Sequence, residues 1–360
     1  MDKRDLGIRC TACRDSQSIV VLLKESLSLR KCLKCGTVFL GGYSDEFVQE
    51  LYDYYDKYAN LGKEDVFDPI TTTRCQELLS WFSRFGTGRE VLDVGCGLGQ
   101  FVDVANRSGW IAEGLELSRE AVNFARRQGL AVRNMDFLSG EIRPKSYDLV
   151  TLFEVIEHVP NPAEFLQRAG EVVRPGGLVY LTTPNFASLD RFVAGKDWKI
   201  IHPEHLTYFT PRTLKALVKN TTHFEILHLE TRNVSIAALR KLSCGLFSHL
   251  TPAVDSHVDL EVDCDLERQT HDFRRRMSSS TPLGLAKRFV NGLLNLTGLG
   301  VTMVMFCCAA HPSVMISQTE VRGLEGIEIG SRGTDKRSRA KSPRRREARD
   351  RSLRSDVGVA

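Results

Sequence analysis

The chain has 360 residues, of which 42% are apolar and 26% charged, the composition of an ordinary water-soluble protein with one large domain or two modest ones. Its net charge of +4 is uneven, because residues 331–360 hold 11 Lys/Arg and 4 Asp/Glu and leave residues 1–330 at −3. A mildly acidic body excludes a basic groove for nucleic acid and argues against a nucleic-acid partner.

The first ten residues, MDKRDLGIRC, lack the apolar core of a secretory signal, which predicts a cytoplasmic protein with reduced cysteines. Two short pairs of cysteines follow, separated by 18 residues. Each pair can give two thiolates to one tetrahedral zinc ion, so residues 1–42 are predicted to form a zinc ribbon. A redox pair or four separate thiols are the alternatives. The predicted zinc ligands are Cys10, Cys13, Cys32 and Cys35.

Residues 43–87 combine an aromatic, acidic run with the helix-spaced run ITTTRCQELLSWFSRF, and are predicted to form a helical cap or substrate lid. Strand-like and helix-like segments then alternate over residues 88–232, beginning with the strand EVLDVG and the helix GQFVDVANRSG. Such alternation predicts an α/β fold, with a Rossmann-like, seven-stranded, mostly parallel sheet and helices on both of its faces.

Residues 233–298 are predicted to be a mostly helical insertion, and residues 299–312 to hold the last strand of the sheet. Residues 289–319 contain no Asp, Glu, Lys or Arg, but glycines and strand formers interrupt the run, which favours a helix and a buried strand over a membrane span. The charged tail at 313–360 is predicted to be disordered, and could bind RNA, acidic lipid or nothing.

The stretch VLDVGCGLGQ places a glycine-rich turn between a strand and a helix, with glycines at 95, 97 and 99. A dinucleotide fingerprint would need its third glycine where Gln100 stands, and a P-loop would need a lysine. The turn therefore suits a ligand without phosphates, whose carboxylate meets the helix N-terminus. Asp93, just before the turn, suits an ammonium group.

These residues resemble the motif of class I methyltransferases that use S-adenosylmethionine (SAM), and the resemblance covers about residues 88–232. It implies that Asp93 and the turn hold SAM, that Glu116 binds the ribose hydroxyls, and that Asp136 contacts the adenine amine. Taken singly, each of these residues could instead cap a turn or lie on the surface. The predicted cofactor-binding residues are Asp93, Gly95, Gly97, Gly99, Glu116, Asp136, Phe137 and Phe153.

The segment EVIEHVPNP follows the fourth predicted strand of the sheet, and it resembles the E-x-x-E-H segment of the ubiquinone-pathway O-methyltransferases. The resemblance implies His158 as a catalytic base or ligand, beside Glu157, and a divalent metal at Glu154, Glu157 and His158. The alternative is that Glu157 and His158 only cap the following turn.

A second candidate segment, KIIHPEHLTYFTPRTL, follows the fifth strand of that sheet, and PEHLTYFT looks like a segment of methyltransferases from bacterial glycan and secondary-metabolite clusters. It supplies His205 as a catalytic or substrate-contacting residue, with His202 and Tyr208 nearby. Thr210 is predicted to cap the helix that starts at Pro211. Methyltransferases of this kind often carry an N-terminal zinc module, which the cysteine pairs resemble.

Together these features predict a SAM-dependent methyltransferase for a small or carrier-linked acceptor, most simply through an oxygen of a sugar, glycan or phenolic compound. RNA or protein methylation, with the ribbon and tail gripping the substrate, is one alternative, although the N/D-P-P-Y/F motif is replaced by FEVIEH. A non-catalytic, SAM-binding zinc-ribbon adaptor is the other.

Overall fold

The computed structural model describes residues 8–43, 67, 69–85, 88–235, 238 and 281–309, with the backbone alone for residues 70 and 281–288. These residues lie in one compact unit, Met1–Ile329. The greater part of the predicted lid, residues 44–66, lies outside the described residues. So do nearly all of residues 236–280 of the predicted insertion, and the predicted tail at 313–360.

The strands are named in chain order: β1 (Ser18–Lys24), β2 (Leu27–Cys32), β3 (Val38–Gly41), β4 (Glu90–Val94), β5 (Ile111–Glu116), β6 (Val132–Asn134), β7 (Tyr147–Phe153), β8 (Val173–Pro184), β9 (Thr207–Tyr208), β10 (Phe224–Arg232) and β11 (Thr302–Ala309). The helices are α1 (Pro69–Phe82), α2 (Gln100–Arg107), α3 (Arg119–Arg127), α4 (Pro162–Val172), α5 (Leu189–Ala194), α6 (Pro211–Thr221) and α7 (Thr281–Thr297), and a 3₁₀ turn covers Gly195–Asp197.

The larger sheet has seven strands in the order β10-β11-β8-β7-β4-β5-β6. Neighbours from β8 to β6 pair in parallel, whereas β11 is antiparallel to both β8 and β10. The predicted fold class is therefore confirmed. Strand β8 is the longest of the described strands, with 12 residues. Val173 pairs with Tyr147, and the register then shifts before Leu178 pairs with Leu149.

Helices cover both faces of this sheet, because its strands carry apolar side chains on each side. On one face α4 and α6 pack over the strands, through residues such as Phe165 and Leu214. On the other face α1, α2 and α3 pack, through residues such as Phe82, Phe101 and Val122. This packing leaves the carboxyl edge of the parallel strands for the segments that follow β4, β5, β7 and β8.

The smaller sheet joins the N-terminal residues to the rest of the protein. Its order is β1-β2-β3-β9, so the fourth strand comes from the segment after β8 that the sequence analysis assigned to the core. Val38 pairs with Tyr208 and Phe39 with Thr207, and the Thr207 hydroxyl donates to the Thr11 hydroxyl at 2.8 Å. A small core lies between the two parts, made of Leu29, Val38, Leu40, Trp198, Ile201, Leu206 and Tyr208.

The apolar run that begins at residue 289 forms the end of α7 and then β11, as predicted. Within the described ranges, no helix combines the length and apolarity needed to cross a bilayer.

Candidate functional site

The glycine-rich turn joins β4 to α2 at the carboxyl edge of the larger sheet. Its three glycines have φ of 68°, 57° and 83°, the left-handed region that favours glycine. The amides of Gly95 and Cys96 both donate to the carbonyl of Leu115, at 2.8 and 3.0 Å. The turn is therefore anchored on the end of β5.

Glu116 ends β5 directly beneath the turn, and its side chain is buried. One carboxylate oxygen accepts the Gly97 amide at 2.7 Å, and the other accepts the amides of Leu117 and Ser118 at 2.9 and 3.0 Å. Asp93 is also buried and accepts a hydrogen bond from the Thr151 hydroxyl at 2.8 Å. Both acids that the sequence singled out therefore flank the turn.

The remaining predicted cofactor residues follow β6 and β7. Asp136 is exposed and accepts the Leu138 amide at 3.1 Å. The Phe137 ring is buried against Phe165, whereas Phe153 is half-buried against Phe101. Asp136 and Phe153 are thus the more accessible of the three.

Gly114 in β5 is a positioning residue that the sequence analysis missed. A Cβ at this position would lie 2.6 Å from the Cys96 sulfur, so Cys96 in the turn needs a glycine opposite it. A glycine inside a strand is a signal of close approach, and it could have pointed to this contact.

The segment after β7 packs directly on the turn. A Cβ on Gly95 would lie 2.7 Å from Val155 Cγ2. Glu154, the residue before Val155, has a φ of 53°, a left-handed conformation that is costly for a residue other than glycine. Since Val155 packs on Gly95, the strained backbone of Glu154 lies next to the turn.

Glu157 carries a fully buried carboxyl group. Its Oε2 accepts the Thr183 hydroxyl at 2.9 Å, whereas its buried Oε1 lies 4.0 Å from His158 Nε2 and has no hydrogen-bond partner among the described residues. Burial first, and the nearby Glu154 second, raise the pKa of Glu157 well above its usual value. The surroundings of Glu157 therefore favour its uncharged form.

His158 and His205 come from the two candidate segments, and their rings meet with centroids 4.6 Å apart. His158 Nδ1 lies 2.9 Å from the Glu204 carbonyl and His205 Nδ1 lies 2.8 Å from the Ile200 carbonyl. A carbonyl only accepts, so each neutral ring carries its proton on Nδ1 and keeps a lone pair on Nε2. His202 is exposed and lies farther out.

One ligand atom from each of Glu157, His158 and His205 lies within 4.8 Å of the others. This group differs from the predicted metal set, in which Glu154 stood in the place of His205. The sequence could not show that residues 158 and 205 meet, because they belong to segments that follow different strands.

The raised pKa of Glu157 makes a prediction for stability. A carboxyl whose pKa is higher in the folded state stabilises the fold at low pH and loses that contribution as pH rises. Glu157→Gln keeps an acceptor for Thr183 and cannot ionise. The difference in unfolding free energy between this variant and the wild type should therefore shift in favour of the variant as pH rises from about 5 to about 9. Urea denaturation without added divalent salt measures this, and Glu77→Gln, on the exposed side of α1, is the control. A difference that does not vary with pH would contradict the prediction.

The four paired cysteines form a second cluster, in which all four sulfurs lie within 4.8 Å of one another and none is in a disulfide. Sulfurs of opposite pairs approach to 3.6 Å (Cys10 and Cys35) and 3.5 Å (Cys13 and Cys32). Thiolates around a tetrahedral zinc ion, with zinc–sulfur distances of about 2.3 Å, lie roughly 3.8 Å apart. The hydrogen bond from Cys10 lowers the pKa of Cys35 to about 4, which favours its thiolate form.

Comparisons with known proteins show what this chain is similar to. A family model described as a methyltransferase domain matches residues 67–229. A SAM-dependent methyltransferase structure from Archaeoglobus fulgidus is 16% identical, with a TM-score of 0.43 and coverage of 72% of this chain and 99% of the other.

Two curated relatives are named ubiquinone biosynthesis O-methyltransferases. The one from Shewanella sp. (strain ANA-3) is 32% identical over 182 residues, which are 47% of this chain and 74% of the relative. The one from Pectobacterium carotovorum is 30% identical over 192 residues, which are 51% of this chain and 75% of the relative. With the glycine turn and its two acids in place at the carboxyl edge of the sheet, the chain belongs to the class I SAM-dependent methyltransferases.

Proposed function

We propose that this enzyme methylates a hydroxyl oxygen of a small or carrier-linked acceptor, such as a sugar, a glycan or a phenolic compound. The observation that carries the proposal is the edge-on pair of His158 and His205, which comes from the two segments that follow β7 and β8 at the sheet edge where the glycine turn also lies. The curated relatives are O-methyltransferases by name, which supports oxygen as the methylated atom.

The residues around the turn fit SAM. Asp93 and Glu116 are buried acids on either side of a turn too crowded for side chains, and Asp136 is accessible. When bound, SAM supplies an electrophilic methyl group on a positively charged sulfur. The protein therefore has to align the acceptor oxygen with that methyl group and remove the proton of the hydroxyl.

His158 is suited to take that proton. The Glu204 carbonyl holds the Nδ1 proton, which orients the ring and leaves Nε2 able to accept. His205, anchored in the same way on Ile200, lies edge-on to His158 and can contact the acceptor or stabilise the charged ring. The Thr183 hydroxyl donates a hydrogen bond to the Glu157 carboxyl group, which lies beside the histidines.

A divalent cation at Glu157, His158 and His205 is a second way to activate the acceptor. The buried Oε1 of Glu157 and the two Nε2 atoms form a suitable donor set, and metal-ligating histidines commonly donate their other N–H to a carbonyl, as both do here. Such a cation would lower the pKa of a bound hydroxyl.

The proposal also includes a structural zinc ion bound by the four cysteines. The donor set is the one that zinc prefers, and the distances between sulfurs match a tetrahedral ion. In this role zinc would hold β1, β2 and β3 against β9 and so support the segment that carries His205.

The test is a methyl-transfer assay on the zinc-loaded protein with methyl-labelled SAM and a panel of catechols, glycosides, sugar nucleotides, RNA and protein. We expect labelled ether products from hydroxyl acceptors, abolished by Glu116→Ala. Label in RNA or protein alone would overturn the proposed substrate class. Failure to bind S-adenosylhomocysteine (SAH) in calorimetry would overturn the assignment of the cofactor site.

The crowding at Gly95 makes a separate prediction. Alanine here costs roughly 1–3 kcal/mol for the left-handed backbone, and its methyl group also collides with Val155. Gly129→Ala is the matched control, since Gly129 has a φ of 78° and open space around its Cα. Both variants should lower the free energy of unfolding, but only Gly95→Ala should weaken SAH binding, measured by calorimetry. Equal loss of SAH binding in both would contradict the proposed role of the turn.

A further inference from the structure

A basic cleft lies at the seam between the N-terminal sheet and the methyltransferase core. Its volume of about 490 Å³ falls in the range of small-molecule sites. One wall comes from β1, β2, β3 and the turn after Cys32, and the other from the residues after β8 and the start of α6. Four cationic side chains line it, Lys31, Lys34, Arg191 and Arg212, and none of the described lining residues is acidic.

The local structure does not explain the positive charge of Arg191 and Arg212, the two cationic residues on the core side of the cleft. Arg212 is the second residue of α6, whose first turn contains no acid, although the helix dipole there favours a negative group. Arg191 lies over the Phe186 ring at 4.6 Å, and its buried Nε has no hydrogen-bond partner within the described part of the chain. The carboxylate of the neighbouring Asp190 accepts the Ser235 amide at 3.0 Å.

The positive charge of the two lysines can be explained by the thiolates beside them, but this explanation does not apply to the two arginines. Lys31 and Lys34 adjoin Cys32 and Cys35, so part of their charge offsets the thiolates. Arg191 and Arg212 belong to α5 and α6, which carry none of the four cysteines. Of the four cations only Lys34 has an acid within ion-pair distance among the described residues, Asp15 at 3.9 Å. Positive charge brought together from two separate parts of the chain is an arrangement suited to binding phosphate.

We propose that this cleft binds a phosphate or diphosphate group of the acceptor, as in a nucleotide-linked or otherwise phosphorylated substrate. This inference rests on the proposed function and narrows its substrate class. A row of packed rings lies between the cleft and the catalytic candidates. The ring centroid of Phe186 lies 5.5 Å from that of Tyr208, Tyr208 lies 6.2 Å from His205, and His205 lies 4.6 Å from His158. Tyr208 is buried in this row, so in this proposal an acceptor anchored by its phosphate in the cleft reaches the histidines over the packed rings rather than between them.

The experiment titrates the full-length, zinc-loaded protein with pyrophosphate, uridine diphosphate and, separately, SAH by calorimetry. We expect pyrophosphate to bind, and Arg191→Gln/Arg212→Gln to weaken that binding about tenfold or more, as for lost charge-assisted hydrogen bonds. Lys219→Gln, which removes one positive charge from an exposed residue at the far end of α6, should change it less than about twofold. Tighter binding of uridine diphosphate than of pyrophosphate would identify a nucleotide as the source of the phosphate, and equal binding a simple phosphate ester.

The SAH titration separates the two levels of the proposal. Normal SAH and zinc binding in the double variant shows that the fold is intact. SAH binding without pyrophosphate binding in the wild type, or pyrophosphate binding unaffected by the double substitution, would overturn the phosphate site and leave the methyltransferase function standing. A wild-type protein that does not bind SAH would instead count against the proposed function.

Discussion

Cys32→Ser is expected to abolish the proposed zinc site and to unfold the N-terminal sheet. Structural zinc in small cysteine modules contributes roughly 10–16 kcal/mol of apparent binding free energy, more than a segment of this size gains from its own core. From β2 and β3, Leu29, Val38 and Leu40 share a small core with the segment 198–208, and Phe39 packs in the main core. If zinc binds as proposed, its removal leaves the sheet with too little apolar contact of its own to persist.

Unfolding of the N-terminal sheet should also disturb the catalytic candidates, because β9 links this sheet to the segment that carries His205. His205 stands two residues before β9, and the Thr207–Thr11 hydrogen bond and the pairing with β3 hold that strand. We expect methyl transfer to fall at least about tenfold, since small displacements of catalytic groups are costly. SAH binding should remain, because the glycine turn is anchored on β5.

Zinc content, amide hydrogen exchange of β3 and β9, and methyl transfer together measure this prediction. Cys308→Ala is the matched control, as Cys308 is a buried cysteine of β11 outside the thiol cluster. It should keep one zinc per chain and normal exchange in β3. A Cys32→Ser protein that retains zinc, or that loses zinc with β3 still protected from exchange, would show that the metal does not hold the ribbon together.

The sheet could be predicted from the sequence because its signals are local. Alternating strand and helix patterns lie next to one another in the chain, and the turn at Gly95, Gly97 and Gly99 marks the boundary between β4 and α2. The two acids at the turn could also be placed, since each ends or nearly ends a recognisable strand. Thr210 and Thr213 form the capping box of α6, as the Thr-Pro start of that helix predicts.

The joining of separate segments could not be predicted in the same way. Strand β9 has only two residues, too few to show a period, and it is a strand because β3 presents its edge to it. The meeting of His158 with His205, and the carbonyls that fix their tautomers, depend on how the segments after β7 and β8 fold over the sheet edge. The cleft between Arg191, Arg212 and the ribbon is a product of the same docking.

Replacing His158 by asparagine should lower kcat by roughly 10²–10⁴ if His158 is the base, the usual contribution of a positioned proton acceptor. The asparagine amide can still donate to the Glu204 carbonyl in the position of Nδ1, so the segment should keep its fold, while the acceptor at Nε2 is lost. The affinity for SAH should not change, because the glycine turn is held by the hydrogen bonds of Gly95 and Cys96 to Leu115 and of Gly97 to Glu116.

Steady-state methyl transfer against a responsive hydroxyl acceptor, measured over pH and with SAH binding in parallel, tests this. His202→Asn is the control for a nearby, exposed histidine and should keep kcat within about twofold, as is usual for surface substitutions. A His158→Asn enzyme with unchanged kcat would remove His158 from the reaction. A raised KM with normal kcat would assign it to acceptor binding alone.

His205→Asn then separates the two ways of activating the hydroxyl. If His158 acts as a base and His205 only contacts it, the second variant should lose less activity than the first and should not respond to added Mg²⁺ or Mn²⁺. If Glu157, His158 and His205 together hold a cation, each substitution removes one ligand, so the losses should be similar and added metal should restore part of the rate. Because both histidines bind a backbone carbonyl through Nδ1, either result follows from the same geometry, and the metal response decides between them.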